Sequence, residues 1–361
     1  MLKHLTILIL LATLLAGCGS STSGDKSATS KQTLPAKADL TFLSKMGVDV
    51  ANIATLSGKV DCNDSTVLTS LTDEQVRALF QSVHHFDLLP PEEGVEGVYS
   101  IVGAQALPNQ HTLLLFHIEF GDGATHPMAI YDHNGTMTDY LDLGVWRNVM
   151  PDQSGEFAPD HGRAFHELAF VEFDPQKPEF TLKRDYALSD WVDEDGEMKF
   201  TDIHWELLKD YHYSIDDNGH FAQLDTAIDK KGDVDASDAL LDEISDLHYL
   251  PATDTTRLDK LLALMQLPDT KKLVDDPEGT AKYRLQGVMQ AAFEQNGQVV
   301  LQWLTKNRGC NDMIDLLKQL FASGWLRKEL MTQELAKMPQ GDARNWLEQL
   351  TAQWGPDGAM G

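Results

Sequence analysis

The pattern of apolar and polar positions divides the chain into four stretches of different character. An apolar run from Leu5 to Ala16 is followed by a polar stretch that extends to about Ala38. Between about Gly97 and Thr226 short alternating runs are typical of strands, and beyond them apolar residues recur with a helical period. The pattern predicts an α+β fold: an antiparallel β-rich domain, either a sandwich or a partly closed meander, followed by an all-α helical bundle domain.

The strand-rich stretch begins behind a predicted helix. Thr72 and Gln75 have the spacing of a capping box, and the helix that follows them is expected to pack on the sheet. Short runs rich in aromatic and β-branched residues follow, separated by turn residues. The candidate strands are VYSIVG, TLLLFHIEF, PMAIYD, MTDYLDLG, AFHELAFVEF, EFTLKRDYAL, EMKFTDIHWEL and DYHYSID.

Beyond Asp225 an acidic stretch precedes the helical pattern and is taken as the domain boundary. Pro277 is expected to open one helix at its first turn, and this helix should end before Asn296-Gly297. The spacing favours a bundle of about seven short helices over an irregular helical array. The predicted divisions are a signal peptide over 1–17, a flexible tether over 18–38, a β-rich domain with an N-terminal helix over 39–228, and an α-helical domain over 229–361.

The N-terminal run has the three parts of a secretory signal: a charged Lys3, an apolar stretch and a small residue. It is too short to span a bilayer comfortably. The four residues Leu15-Ala16-Gly17-Cys18 resemble the lipobox of bacterial lipoproteins. The resemblance implies cleavage before Cys18 and attachment of a diacylglycerol to its thiol. By the same resemblance Gly19, in place of Asp, implies the outer membrane. The alternative is an ordinary signal peptide with an incidental cysteine.

Charge changes this interpretation by excluding one class of partner. The chain holds 29 Lys and Arg against 56 Asp and Glu, for a net charge of -27. Such a chain repels nucleic-acid phosphates and anionic membrane surfaces. We therefore expect no nucleic-acid partner and contact with the membrane through the lipid anchor alone, with the rest of the chain facing the periplasm.

Two cysteines remain after the lipidated one. Cys62 and Cys310 would lie in a compartment that permits disulfides, so they are a possible pair. The alternative is that they are two separate buried thiols, because they fall in different predicted domains.

Local motifs for catalysis or metal binding are missing. The folded part of the sequence contains no nucleophile elbow, phosphate loop or dinucleotide fingerprint. The histidines have no ligand spacing, so no metal site and no cofactor are predicted. The turns at Asn134-Gly135, Asp195-Gly196 and Asn218-Gly219 concentrate carboxylates, yet Gly at the second central position favours type I′ hairpins over calcium loops.

These observations favour a binding or scaffolding lipoprotein anchored in the outer membrane, with a protein or envelope partner. Two alternatives stay open: a cell-envelope hydrolase that uses a carboxylate pair, and a calcium-binding lipoprotein. A convergent, partly buried acid pair with a raised pKa in a cleft would favour the enzyme. A groove without such a pair would favour the binding protein.

Overall fold

The computed structural model describes residues 34, 37–60, 68–81, 97–120, 123–143, 147–151, 161–194, 197–274, 280–352 and 354. Cys18, Cys62 and the Asp195-Gly196 turn lie outside these described residues, and so does Pro277. No helix in the described part is long and apolar enough to cross a membrane.

The strands of the described residues form two sheets. The strands are β1 (Ala54–Thr55), β2 (Gly58–Val60), β3 (Thr69–Ser70), β4 (Gly97–Ala106), β5 (Thr112–Phe120), β6 (Gly123–Thr125), β7 (Met128–Tyr131), β8 (Met137–Leu141), β9 (Arg147–Pro151), β10 (His161–Phe173), β11 (Glu179–Glu194), β12 (Glu197–Ile215) and β13 (Phe221–Gly232). The first sheet has the order β1-β4-β5-β7-β8, with β3 on β4 and β6 on β5. The second sheet has the order β13-β12-β11-β10-β2, with β9 on β10. Pairing is antiparallel except between β1 and β4.

The facing sides of the two sheets share one hydrophobic core. The first sheet contributes residues such as Leu113, Leu115 and Ile130, and the second contributes residues such as Leu182 and Tyr213, all fully buried. Alternate positions along each strand point into this layer because the side-chain period of a strand is two residues. The strand-rich part is therefore a two-layer sandwich, and the predicted α+β class is confirmed.

Two short helices cover the outer side of the first sheet: α1 (Thr41–Lys45) and α2 (Asp73–Leu79). The predicted capping box of α2 is present. The Gln75 backbone N–H donates to Thr72 Oγ1 at 3.3 Å, and the Thr72 backbone N–H donates to Gln75 Oε1 at 2.8 Å. The predicted packing of this helix on the sheet is confirmed, because Val76 and Leu79 join the core on that side.

Seven helices of the described residues share a second core. They are α3 (Ala236–Asp246), α4 (Thr256–Met265), α5 (Pro268–Val274), α6 (Thr280–Lys306), α7 (Asn311–Ser323), α8 (Lys328–Lys337) and α9 (Asp342–Thr351). Helix α6 contacts each of the other six, so the region is a bundle around α6. The predicted end of this helix before Asn296 is wrong. Asn296 forms a kink at φ -154°, and its Oδ1 accepts the Val299 N–H, which restarts the helix.

Two strand predictions need correction. EMKFTDIHWEL and DYHYSID are one continuous strand, β12, rather than two. β13 was not predicted, because its residues beyond Gln223 are exposed and the acidic character of the stretch concealed the alternation. The predicted boundary between residues 228 and 229 falls within β13.

The hairpins predicted at Asn134-Gly135 and Asn218-Gly219 are confirmed, but the predicted turn type is wrong. A type I′ turn needs positive φ at both central residues, whereas only the glycines have it, at 82° and 74°. Each loop instead closes with a bond from the glycine N–H to the carbonyl of Asp132 or Asp216, three residues earlier. This pattern fits a three-residue loop that ends in a left-handed glycine.

The turn between β12 and β13 fastens one sheet to the other. Thr138 Oγ1 on β8 donates to the Gly219 carbonyl at 2.9 Å, and Asn109 Nδ2 donates to the Asp217 carbonyl at 2.9 Å. The Phe221 N–H donates to Asp139 Oδ2 at 2.8 Å. One small turn thus holds both layers of the sandwich at this edge.

Candidate binding cleft

The inner side of the second sheet changes from apolar to ionic along its strands. Toward one end, residues such as Leu182 and Tyr213 face the first sheet. Farther along, helix α3 covers the same side, and the inward positions there include Arg184 on β11 and Lys209 on β12, which are directly paired. Their exposed fractions are only 3% and 5%, so both cations are buried where the sheet meets the helix.

Two carboxylates of α3 meet these cations. Asp242 and Asp246 are four residues apart and so lie on one side of the helix. Arg184 Nη1 donates to Asp242 Oδ1 at 2.8 Å and to Asp246 Oδ1 at 2.9 Å. Lys209 Nζ donates to Oδ2 of both, and the Tyr211 hydroxyl donates to Asp246 Oδ1. We call these five residues the ionic cluster.

The electrostatics of the ionic cluster follow from its burial. Burial raises the pKa of Asp246, while Lys209 beside it acts in the opposite direction. Burial and the Asp246 charge both raise the pKa of the Tyr211 hydroxyl. Each of the four carboxylate oxygens of Asp242 and Asp246 already accepts a hydrogen bond from a cation. A general acid or base needs an oxygen within reach of substrate, so this pair is built to join sheet and helix.

The segment after α3 is fixed on both sides. The Tyr213 hydroxyl donates to the Tyr249 carbonyl from the sheet. From α4, the fully buried Arg257 donates to the Leu250 carbonyl and, at 2.8 Å, to Gln295 Oε1. Burial lowers the pKa of Arg257 to about 10, so it remains a cation at neutral pH. These bonds set the separation of α4 from the second sheet.

A cleft of about 480 Å³ opens beside the ionic cluster, between strands β12 and β13 and helices α3 and α4. Its walls combine aliphatic side chains with polar groups. The lining residues are Leu207, Lys209, Tyr211, Gln223, Thr226, Ile228, Ala239, Asp242, Glu243, Asp246, Leu247, Leu250, Lys260, Ala263 and Leu264. Its size lies within the range of sites that hold a small molecule or part of a chain.

The ionisable groups of the cleft fall into two sets. Lys209, Tyr211, Asp242 and Asp246 at its base are committed to the ionic cluster. Glu243 and Lys260 at its rim are exposed and form no ion pair in the described part of the chain. Selectivity of the cleft would therefore come from its shape and from the two charges at its rim.

The described residues that the sequence suggested as candidates do not line the cleft. Cys310 is half-buried against the helical core, and since Cys62 lies outside the described residues, their pairing stays a prediction. Asp132 and Asp216 each use Oδ1 to accept two backbone N–H groups of their own turns. Those oxygens stabilise the hairpins.

A histidine pair and an aspartate are also buried in the sandwich. His117 Nδ1 lies 2.8 Å from His126 Nε2, and burial together with His117 lowers the pKa of His126 to about 2. Burial raises the pKa of Asp139, next to the β12–β13 turn, to about 6. Within the described ranges no three His, Cys, Asp or Glu side chains are grouped so that they could hold a metal ion.

The residues of the cleft were not predicted from the sequence. The ionic cluster joins positions such as Arg184 and Asp242, which are 58 residues apart in the sequence. One signal was present: Arg184 and Lys209 each occupy an inward position in an otherwise alternating strand. Charges at core positions of two neighbouring strands indicate a buried ionic partner. Comparison of the chain with protein-family models, with curated proteins and with solved structures gives no match.

Proposed function

We propose that this protein is an outer-membrane lipoprotein that faces the periplasm and binds a protein or envelope component in the cleft between the second sheet and α3–α4. The observation that carries the proposal is the cleft itself, with aliphatic walls and exposed Glu243 and Lys260 at its rim. The lipobox-like Leu15-Ala16-Gly17-Cys18 supports the anchor. The acidic composition supports attachment through lipid rather than through protein charge.

Binding is favoured over hydrolysis by the state of the Asp242–Asp246 pair in this cleft. Asp242 is buried, Asp246 is half-buried, and the two converge as a catalytic pair would, with burial raising the pKa of Asp246. Their oxygens are nevertheless occupied by Arg184 and Lys209. Retaining or inverting hydrolysis needs one free carboxylic acid and one free carboxylate on either side of a bond. The cleft offers contact surface instead.

Capture in living cells tests the proposed site. A photoreactive amino acid is placed at Ala263 or Glu243, two exposed positions of the cleft, or at Ala336, an exposed alanine of α8. We expect adducts with a species other than a second copy from both cleft positions, and none from the Ala336 control. Equal adducts from all three positions, or no adduct from the cleft, would contradict the proposed site.

The anchor gives a separate prediction. Cys18→Ala should abolish incorporation of labelled fatty acid and release the protein from the membrane fraction, because acyl chains contribute about 0.8 kcal/mol per buried methylene to membrane binding. Cys310→Ala is the matched control and should leave both properties unchanged. Labelled lipid retained by the Cys18→Ala variant would rule out this thiol as the anchor.

A further inference from the structure

Strand β13 forms a long edge of the second sheet. It pairs with β12 on one side, and no other strand in the described part of the chain pairs with it on the other. Two of its large apolar side chains are exposed, Leu224 by 58% and Ile228 by 61%. An edge strand presents a row of backbone N–H and C=O groups that can pair with another strand.

A β-bulge in β13 changes which side chains lie on each side of the sheet. The register with β12 shifts between His212 and Tyr213, where Leu224 is the extra residue. Beyond the bulge, Asp225 and Lys231 lie on the outer side of the sheet, opposite His212 and Glu206. Ile228 lies on the side of the cleft.

We propose that a second copy of this chain pairs with β13 in an antiparallel, two-fold arrangement centred on Ile228. In this register Asp225 of each copy lies directly opposite Lys231 of the other, because the two positions are equally distant from Ile228. Asp225 has 75% of its side chain exposed and Lys231 has 59%, so both can reach across the edge. Opposite charges on directly facing residues stabilise a strand pair.

The charges of β13 select this register. In an antiparallel pair, residues that face each other point to the same side of the sheet. The two-fold axis must therefore pass through a residue, because an axis between two residues would place inner side chains opposite outer ones. Centring the pair on Ala227 would place Asp225 opposite Asp229 twice. Centring it on Asp229 would place that residue opposite itself. Centring it on Thr226 would place Asp225 opposite Ala227 and form no ion pair. The register centred on Ile228 places Asp229 opposite Ala227, has no like charges face to face and forms two opposite-charge pairs.

Pairing would change the cleft as well as the edge. Ile228 lines the cleft, so the two-fold axis would bring the Ile228 side chains of both copies together at its mouth. The two second sheets, each with six strands in the described residues, would join into one sheet. Two clefts would then open side by side across the axis, which suits a scaffolding role.

Charge reversal tests this arrangement on the full chain, extracted in mild detergent, with two differently tagged copies expressed together. Copies that both carry Asp225→Lys place Lys opposite Lys231, and copies that both carry Lys231→Asp place Asp opposite Asp225. We expect co-purification to fall about tenfold in each case, equivalent to about 1.4 kcal/mol. Mixing one Asp225→Lys copy with one Lys231→Asp copy restores both opposite-charge pairs and should recover the wild-type level.

Lys231 also forms an ion pair with Glu206 of its own chain, so charge reversal at Lys231 changes two contacts. A second pair of variants, at Ile228, leaves Lys231 unchanged. Ile228→Lys copies should repel one another at the axis, Ile228→Glu copies likewise, and a mixture of the two should pair. Melting temperatures of the single variants check that they fold. Co-purification that is unchanged by reversal, or that is not recovered in either mixture, would overturn the proposal. So would capture through β13 of a different protein in place of a second copy.

Discussion

Gly219→Ala is expected to destabilise the full chain by about 3 kcal/mol. Gly219 has a φ of 74°, a conformation that costs an L-residue about 1 kcal/mol or more. A Cβ atom there would also lie 2.6 Å from His111 Cδ2 and 2.8 Å from Thr138 Oγ1. The turn cannot move away easily, because the Thr138 hydroxyl bonds to its carbonyl.

Gly324→Ala is the matched control for this prediction. Gly324 has a φ of 81°, yet a Cβ atom there would meet no atom within 4 Å. Its substitution should therefore show the conformational cost alone, about 1 kcal/mol. Urea unfolding of the two variants and the wild type gives the difference in the free energy of unfolding. Equal losses for both variants would mean that the β12–β13 turn does not clamp the two sheets.

Asp242→Asn should cost about 3 to 5 kcal/mol of unfolding free energy. The Asp242 side chain is 1% exposed. Once it is neutral, Arg184 and Lys209 share Asp246 as the carboxylate of the ionic cluster. A buried charge without compensation is much more costly than a missing ion pair. Asp269→Asn, which breaks an exposed ion pair with Lys272, should cost less than about 1 kcal/mol.

A double variant separates charge imbalance from lost packing. Lys209→Met combined with Asp242→Leu removes one cation and one anion together and leaves Arg184 bonded to Asp246. We expect it to be more stable than Asp242→Asn alone, because an apolar replacement of a whole buried pair is often neutral. The unfolding free energy lost by the double variant is compared with the sum of the losses in Lys209→Met and Asp242→Leu alone. Equality of the two would contradict coupling between these residues.

The features that the sequence predicted correctly depend on local chemistry. The capping box of α2 needs only Thr72 and Gln75, and each hairpin needs only four consecutive residues that begin with an aspartate and end in Asn-Gly. The helical period of the apolar residues likewise predicted the helices, although the kink at Asn296 was predicted as a helix end. There, packing of both halves into one core outweighs a local signal for termination.

The features that were missed depend on contacts between distant parts of the chain. β13 is a strand because β12 supplies its partners, so its own exposed pattern does not reveal it. The ionic cluster needs two strands and a helix to converge, and no spacing in the sequence encodes this convergence. The cleft follows from that docking, so its lining residues could not be predicted before the fold was known.

The claim that the cleft is the binding site is tested most directly by filling it. Ala263→Trp places a large side chain in the cleft, while Ala336→Trp adds the same side chain at an exposed position of α8. With the photoreactive residue at Glu243, we expect the adduct to fall about tenfold in the Ala263→Trp chain and to stay unchanged in the Ala336→Trp chain. The melting temperatures of the two variants should agree. An adduct that persists at full yield in the Ala263→Trp chain would contradict binding in the cleft.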